Sequence, residues 1–280
     1  MYAVLVHGGA GAPAERVEGC QRAAASAMEL LKSGGSAMDA VEAAAVVLED
    51  DPAYNAGTGS RPRMSGECEM DAAVMGSDGE MGIVTLLRRV RNPVKVARLV
   101  MERTPHLALG GAGALDFARR MGFPDYDPLT ERRRARLQKA MRLLRQGRRG
   151  DPRLLEFLGP GDTIGAVALD SGGGMAAANS TGGVELMLPG RIGDSPFPGA
   201  GFFCGPAGAV ATTGEGEAII RRMSALSVYR MLEGGASPEE ACRREVDVYP
   251  EGTVFGVIAV TPEGVGTANN RTMPTVTLSG

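Results

Sequence analysis

Glycine is the residue that most limits how this chain can fold. It supplies 41 of the 280 residues, about twice its ordinary share, with neither a three-residue period nor a low-complexity block. This pattern disfavours collagen-like and disordered architectures, and it predicts many tight turns and close backbone approaches. Because 44% of the residues are apolar and 22% are charged, the chain can bury a large core.

Short apolar runs and helical repeats occur in clusters along both halves of the chain. The predicted strands cover residues 4–7, 70–75, 81–87, 163–169, 175–179, 209–212, 254–260 and 265–268. Helical spacing predicts helices over residues 14–32, 36–48, 94–102, 113–120, 217–232 and 238–246, with Ser36 as an N-cap. This order favours layers of antiparallel sheet faced by helices over a strict alternation of strand and helix.

Histidine and cysteine are scarce. His7 and His106 are the only histidines, and the four cysteines lie far apart without a CxxC pair. The pattern encodes neither a zinc cluster nor a disulfide framework, and it favours reduced, buried thiols in a cytoplasmic protein. The first residues lack a basic leader and no long apolar run follows, so we expect neither secretion nor a membrane span. A catalytic base, where one is needed, is expected to come from another group.

One segment concentrates positive charge. Residues 131–153 contain ten basic and two acidic residues, although the whole chain has a net charge of −3. Clustered arginines suit phosphate binding, but the segment has no aromatic residue for base stacking and no recognisable nucleic-acid module. We therefore interpret residues 126–162 as a linker, either a solvated helix or an unstructured connector, and expect no nucleic-acid or membrane partner. A deletion within residues 132–149 is then expected to leave activity largely intact.

Two glycine-bearing loops leave their role open. Residues 7–11 (HGGAG) stand where a strand meets a helix, a place where N–H groups can cradle an anion. They lack the spacing of a dinucleotide fingerprint and the Gly-Lys-Ser/Thr of a phosphate loop. Residues 55–60 (NAGTGS) are equally ambiguous. For both loops, a purely structural turn explains the sequence as well as an anion-binding role does.

Four uncommon segments lie close together in the second half of the chain. They are residues 161–165 (GDTIG), 180–183 (STGG), 190–196 (GRIGDSP) and 212–217 (TTGEGE). Each has a purely structural interpretation when taken alone. As a set they suit an amino-acid ligand, because a guanidinium matches a carboxylate, a carboxylate matches an ammonium, and hydroxyl and N–H groups stabilise an oxyanion.

With these segments, the order of motifs along the chain resembles that of the plant-type asparaginases, also called isoaspartyl peptidases, of the N-terminal nucleophile hydrolases. Further matches are residues 7–11, 48–52, 55–57, 69–72, 92–106 and 165–170. The resemblance implies an α/β fold, the four-layer αββα sandwich, made as a precursor that cuts itself immediately before a threonine. Here that bond is Asp162–Thr163, giving an α-subunit of residues 1–162 and a β-subunit of residues 163–280 in one structural domain.

The resemblance also implies roles for residues of the second half. Thr163 resembles the nucleophile, and cleavage would free its α-amino group, whose ordinary pKa of about 7.7–8.0 suits a base near neutral pH. The other implied residues are Thr181 to orient the nucleophile, the Thr213 hydroxyl and Gly214 N–H as an oxyanion hole, Arg191 for the substrate α-carboxylate, and Asp194 with the Gly216 carbonyl for the α-ammonium.

Three further implications concern the first half and the assembly. Asn55 resembles a residue near the scissile bond, and Gly9 lies in a loop that affects processing at Asp162, although a structural role stays open for both. The loop from Pro52 to Thr58 resembles one whose backbone carbonyls, in the family, often hold a structural sodium ion. No cofactor is expected in catalysis, and the implied assembly is a homodimer of αβ heterodimers.

The implied reaction is hydrolysis of L-asparagine or of a β-aspartyl peptide with release of L-aspartate. The preference between these substrates stays open. Phe255 stands where family members commonly have a glycine pair, so we expect it to reshape the neighbourhood of the site.

Other functions remain as alternatives. Glycosylasparaginase shares the fold and the self-cleavage, but it usually reads STNG where residues 180–183 read STGG, and its sugar side uses a tryptophan that this chain lacks. In a different class, the glycine loops would bind a nucleotide or another anion in a protein that catalyses nothing. An inactive relative that keeps the fold as an interaction surface is the third alternative.

Overall fold

Two β-sheets form the centre of the protein. The structure, a computed structural model, describes residues 1–146 and 162–280. Its strands are β1 (Ala3–His7), β2 (Met70–Gly76), β3 (Met81–Leu87), β4 (Ala108–Gly110), β5 (Ile164–Leu169), β6 (Met175–Thr181), β7 (Phe202–Gly205), β8 (Gly208–Gly214), β9 (Phe255–Thr261), β10 (Gly264–Asn269) and β11 (Thr275–Ser279). One sheet has the order β11-β1-β5-β6-β2-β3-β4 and the other β10-β9-β8-β7. Pairing is antiparallel except between β3 and β4.

Helices cover the outer faces of both sheets. Within the described residues they are α1 (Val17–Lys32), α2 (Ala37–Asp50), α3 (Pro93–Arg103), α4 (Gly111–Arg120), α5 (Glu131–Arg145), α6 (Gly216–Arg222), α7 (Ser224–Glu233) and α8 (Pro238–Asp247). Helices α1 to α4 pack on the larger sheet, and α7 and α8 pack on the smaller one. A separate apolar core joins the two sheets. The four-layer αββα fold is therefore confirmed. Across residues 1–146 and 162–280, no helix combines the length and the apolar character that crossing a membrane requires.

Strand alternation decides which side chains enter the space between the sheets. Val167 of β5, Ala177 of β6 and Ala211 of β8 all belong to the inter-sheet core. Side chains an even number of positions away on the same strand share that face. The chain therefore directs three hydroxyls into this space near the strand ends, those of Thr163, Thr181 and Thr213.

The structure departs from the predicted elements where no local signal marks a break or a pairing. The helix predicted over residues 217–232 is two helices, because Met223 between α6 and α7 has a left-handed backbone with φ 55°. Strand β11, which was not predicted, pairs with β1 at the edge of the larger sheet. The short strands β4 and β7 were also not predicted.

The basic segment contains a docked helix. Leu137 and Leu143 of α5 are buried and pack against Leu186 in a small apolar cluster. The expectation of a solvated connector is therefore corrected over α5, because its few apolar residues share one helix face that the overall composition hides. The part of the predicted linker from 147 to 161 lies outside the described residues.

Candidate active site

Thr163 lies immediately before β5 and is nearly buried, with 4% exposure. Its Oγ1 is 3.1 Å from Ser195 Oγ, within hydrogen-bonding distance. Thr213 Oγ1 donates to the Thr163 carbonyl oxygen at 3.5 Å. The chain is continuous through this residue, so the Thr163 nitrogen is still an amide and cannot yet act as a base.

The carbonyl before Thr163 is held by an asparagine amide. Asn55 Nδ2 donates to Asp162 O at 2.9 Å and to Gly183 O at 2.7 Å. The Oδ1 atom of Asn55 accepts from Arg61 N at 2.8 Å. These three bonds fix both ends of the amide, so one N–H points at the oxygen that would gain negative charge if Thr163 attacked its own peptide bond.

The HGGAG loop packs directly on the same bond. Gly9 has φ +104°, and a Cβ there would lie 2.8 Å from Asp162 Cβ and 3.3 Å from Thr163 N. Ala10 N donates to Thr213 Oγ1 at 3.2 Å. The loop therefore leaves no room for a side chain at Gly9. The N–H of Ala10 is already used in the bond to Thr213, so it is not available to a bound anion.

His7, at the start of the loop, is fully buried. Burial lowers its pKa to about 3, although the nearby Thr163 backbone opposes that shift. The imidazole is therefore neutral at physiological pH.

The side chain of Asp162 is held by two arginines. Its Oδ2 lies 2.5 Å from Arg16 Nη1 and 3.3 Å from Arg61 Nη2. All three side chains are largely buried, with exposures of 15% for Arg16, 10% for Arg61 and 6% for Asp162. The residue on the acyl side of the scissile bond is thus fixed through its carbonyl and its carboxylate.

Thr181 lines the same small cavity as Thr163, but its hydroxyl makes a different contact from the one expected. Thr181 Oγ1 accepts from Gly183 N at 3.0 Å. The hydroxyl within hydrogen-bonding distance of the Thr163 hydroxyl is that of Ser195. In the uncleaved chain, Thr181 therefore orients the STGG turn.

Arg191 is clamped on one side by a glutamate. Its Nε and Nη2 donate to the two carboxylate oxygens of Glu217 at 3.0 and 2.8 Å. Arg63, which is fully buried, donates from Nη2 to Arg191 O at 3.1 Å. A Cβ at Gly193 would lie 2.7 Å from Arg191 Nη1, so the free end of the guanidinium lies over a glycine. That end points into the cavity beside Thr163.

Asp194 faces the same space. A Cβ at Gly216 would lie 2.8 Å from Asp194 Oδ1 and 2.9 Å from Arg191 Nη2, so the carboxylate and the guanidinium meet over one glycine. Burial raises the pKa of Asp194 to about 7, and Arg191 opposes the shift. Its Oδ2 atom has no hydrogen-bond partner within the described residues. An ammonium group would satisfy both the charge and the open oxygen.

Gly214 ends β8 beside these groups. It has φ +143°, and a Cβ there would lie 2.1 Å from Val254 O, so only glycine fits. Phe255 pairs with Gly214 through the backbone, but its side chain stacks on Tyr249 in the helix-facing core, with ring centroids 4.2 Å apart. The expectation that the Phe255 side chain reshapes the site is therefore corrected.

The space among these residues is small. Its volume is about 10 Å³, and its walls include Thr163, Thr181, Arg191, Asp194, Ser195 and Gly214. About 10–15 Å³ of such space holds a single water molecule, so no amino acid fits here in the structure as described. Six of the seven residues predicted for catalysis and substrate binding line this one space, and the seventh, Thr213, donates to the Thr163 carbonyl.

Three contacts were missed by the sequence reasoning. Ser195 and Glu217 lie inside the GRIGDSP and TTGEGE segments, so their positions were marked but their contacts were not. Arg61 had no signal, since its importance comes from Asp162, which is 101 residues away along the chain.

The loop from Pro52 to Thr58 provides backbone carbonyl oxygens, the kind of ligand that holds sodium. A Cβ at Gly59 would lie 2.6 Å from Pro52 O and 2.9 Å from Tyr54 O, so two carbonyls converge beside that glycine. Arg132 Nη2 of α5 also donates to Pro52 O, at 3.0 Å. One of these two carbonyls therefore already accepts from a guanidinium group.

Thr58, at the far end of this loop, is anchored by the protein itself. Its N–H donates to Glu49 O at 2.7 Å, and its hydroxyl lies 2.8 Å from the Tyr126 hydroxyl. Both contacts use atoms of Thr58 other than its carbonyl. Among residues 1–146 and 162–280, no group of three or more His, Cys, Asp or Glu side chains could hold a metal ion, so a cation here would depend on carbonyls. The sodium site between Pro52 and Thr58 stays a prediction.

Comparison with known proteins identifies the family of this chain. A model of the family described as asparaginase matches residues 1–278. The isoaspartyl peptidase/L-asparaginase of Bos taurus is 45% identical over 250 residues, which are 85% of this chain and 79% of the bovine protein. The Homo sapiens protein of the same name is 45% identical with the same coverage. The plant-type L-asparaginase of Pyrococcus abyssi is 42% identical over 292 residues, covering 96% of this chain and 93% of that protein. The chain therefore belongs to the asparaginase family.

Proposed function

We propose that this chain is a self-processing amidohydrolase that releases L-aspartate from L-asparagine and from β-aspartyl peptides. One arrangement carries the proposal. Thr163 follows a carbonyl that Asn55 holds by a hydrogen bond, and Arg191 and Asp194 line the same cavity. Relatives whose names state both activities support it.

Self-cleavage begins in this proposal with attack of Thr163 Oγ1 on the carbonyl carbon of Asp162. A C–O bond forms, the C–N bond breaks, and the hydroxyl proton passes to the released nitrogen. Asn55 Nδ2 stabilises the negative charge on Asp162 O during the attack. Water then hydrolyses the ester, leaving one chain that ends at Asp162 and another that begins with the free amine of Thr163.

Substrate hydrolysis repeats this chemistry on a bound amide. The Thr163 amine takes the proton of its own hydroxyl, Oγ1 attacks the β-carbonyl, and the same proton passes to the nitrogen that leaves. Water, deprotonated by the amine, then releases L-aspartate from the acyl-enzyme. The Thr213 hydroxyl and the Gly214 N–H stabilise the oxyanion, while Arg191 and Asp194 hold the α-carboxylate and α-ammonium. The proposal uses no cofactor in any step.

A substrate panel tests the proposal. Purified protein is expected to release aspartate from L-asparagine and from β-aspartyl-leucine, but not from N-acetylglucosaminyl-asparagine. Release from the glycosylated substrate alone would instead support glycosylasparaginase. A single uncut chain that releases aspartate from none of the three would contradict the proposal and favour a non-catalytic role.

The finer points of the account remain predictions. Sedimentation velocity tests whether the protein forms a homodimer of αβ heterodimers. Cell fractionation tests whether it is cytoplasmic. A sodium ion between Pro52 and Thr58 would hold the loop through its carbonyls and take no chemical part. It is expected to raise the melting temperature as sodium replaces a large organic cation at constant ionic strength.

A further inference from the structure

The buried pairing of Asp162 with Arg16 and Arg61 has a consequence for the cleaved enzyme. Resting on the proposed function, we propose that Arg16 and Arg61 form a carboxylate subsite for the leaving amino acid of a β-aspartyl dipeptide. In the uncleaved chain the Asp162 side chain occupies this subsite, with its Oδ2 at 2.5 Å from Arg16 and 3.3 Å from Arg61.

The position of the leaving group follows from the path of the proton. The Thr163 amine must hand its proton to the nitrogen that departs, so that nitrogen must lie within hydrogen-bonding reach of Thr163 N. In the uncleaved chain, Thr163 N is bonded to Asp162. The departing amino acid therefore lies on the side from which Asp162 is released.

The chemistry of that side suits a carboxylate. Arg16 and Arg61 have side-chain exposures of only 15% and 10%, so a carboxylate that reaches them is bound in a largely water-free environment, where charge-assisted hydrogen bonds are strong. Arg133 adds a third positive charge nearby, since both Arg61 and Asp162 act on its pKa. The carboxylate of a departing amino acid lies one carbon from its nitrogen, and the two guanidinium groups already hold a carboxylate of the residue bonded to Thr163 N.

This subsite separates two substrate types by chemistry. The amino acid that leaves a β-aspartyl dipeptide carries an α-carboxylate, whereas L-asparagine loses only ammonia. Binding of that carboxylate favours dipeptides with a free carboxyl end.

The test compares two substrates on the fully cleaved enzyme. β-Aspartyl-leucine and β-aspartyl-leucinamide differ only in the leaving carboxylate, and kcat/KM is expected to be at least about tenfold higher for the acid. In Arg61→Gln this ratio is expected to fall towards one. Arg243→Gln is the matched control, because Arg243 is exposed on α8 and pairs only with Asp247 at 3.1 Å among the described contacts. It should keep the wild-type ratio.

Two results would overturn the subsite. One is a wild-type ratio near one, as expected if Asp162 stays on the arginines after cleavage. The other is an Arg61→Gln enzyme that keeps the wild-type ratio. If Arg61→Gln does not cleave itself, the subsite is judged from the ratio of kcat/KM for acid and amide in the wild-type enzyme alone. Aspartate release from L-asparagine separates the subsite from the proposed function. If L-asparagine is hydrolysed while β-aspartyl-leucine and its amide react alike, only the subsite is overturned. If no substrate reacts, the proposed function fails.

Discussion

Arg191 owes its orientation to Glu217, which occupies one edge of the guanidinium and leaves the other edge facing the cavity. A lysine at this position keeps the charge but cannot donate to Glu217 and to a carboxylate in the same planar geometry. In Arg191→Lys, kcat/KM for L-asparagine is expected to fall at least about tenfold, or about 1.4 kcal/mol. Steady-state kinetics on cleaved protein measure this, and unchanged values would remove Arg191 from the site.

The raised pKa of Asp194 predicts that the free energy of unfolding depends on pH. Its pKa is raised from 3.8 to about 7 by burial, so between these values the folded state binds a proton that the unfolded state has lost. This residue therefore makes the wild-type protein less stable as the pH rises from about 4 to 7, and adds no further change above that. Asp194→Asn lacks the effect. Its free energy of unfolding relative to wild type should rise by roughly 2 kcal/mol between pH 5 and pH 8.

Urea denaturation at the two pH values measures that difference. Because both proteins share every other titrating group, the subtraction isolates Asp194. A difference that stays constant with pH would show that Asp194 is ionised in the folded protein throughout this range.

Gly9 predicts a specific effect on self-cleavage. An alanine there would place its Cβ 2.8 Å from Asp162 Cβ and displace the scissile bond. Gly9→Ala is expected to cleave about tenfold more slowly or worse, because small misplacements of reacting atoms are costly. Gly79→Ala is the matched control, since Gly79 also has a positive φ, +91°, but no atom within 4 Å of the added Cβ. Equal cleavage rates in the two variants would show that the contact at Asp162 does not control cleavage.

At this scale the sequence located the site better than it described the contacts. Motifs placed Thr163, Arg191 and Asp194 around one cavity, because each motif is a turn whose chemistry is local. In the structure described, the Thr163 hydroxyl lies near Ser195 and Thr181 accepts from Gly183 N, so the expected role of Thr181 in orienting the nucleophile stays a prediction. Which hydroxyl lies near that of Thr163 depends on how two separate turns pack, which no local pattern encodes.

Helix α5 shows what composition alone conceals at the scale of an element. Arg136 Nε donates at 2.6 Å to Glu185, whose carboxylate is fully buried. The expectation that a deletion within residues 132–149 leaves activity largely intact no longer follows, because α5 supports the loop before Arg191.

The ion pair of α5 with this loop can be tested directly. Arg136→Ala leaves Glu185 buried without its close partner, and it is expected to lower the free energy of unfolding by about 1–3 kcal/mol. Adding Glu185→Gln should recover at least half of the loss. Arg134→Ala is the control, since Arg134 lies on the exposed side of α5 and pairs with Asp127 at 3.7 Å. Its effect should stay below about 0.5 kcal/mol. Similar losses in both single variants would contradict a specific role for the buried pair.

Helices α1 to α4 and α8 and the hairpins β2–β3, β5–β6 and β9–β10 were predicted from the sequence within a few residues, because their periodicity and turns are local. Ser36, for example, forms a capping box with Asp39 at the start of α2, as the N-cap pattern suggested. Strand β11 was missed because it exists only through pairing with β1, at the opposite end of the chain. The break at Met223 has no glycine or proline to mark it.

At the scale of the whole molecule, the four layers bring both proposed subunits into one core. Strands β1 and β5 are direct neighbours although the proposed cut separates them. The two products would therefore remain joined through a sheet and two apolar cores after the peptide bond is lost. The cavity of about 10 Å³ beside Thr163 is too small for an amino acid, so the proposed function requires this space to enlarge before a substrate binds.

The central claim is that the Thr163 hydroxyl becomes catalytic only when its own backbone nitrogen is freed. Intact-mass spectrometry during incubation, with aspartate release measured on the same samples, tests this most directly. The account predicts that the 29.0 kDa chain is replaced by two chains, one ending at residue 162 and one beginning at residue 163, in step with the rise of activity, and that Thr163→Ala stays whole and inactive. Full aspartate release from a chain that remains at 29.0 kDa would contradict it.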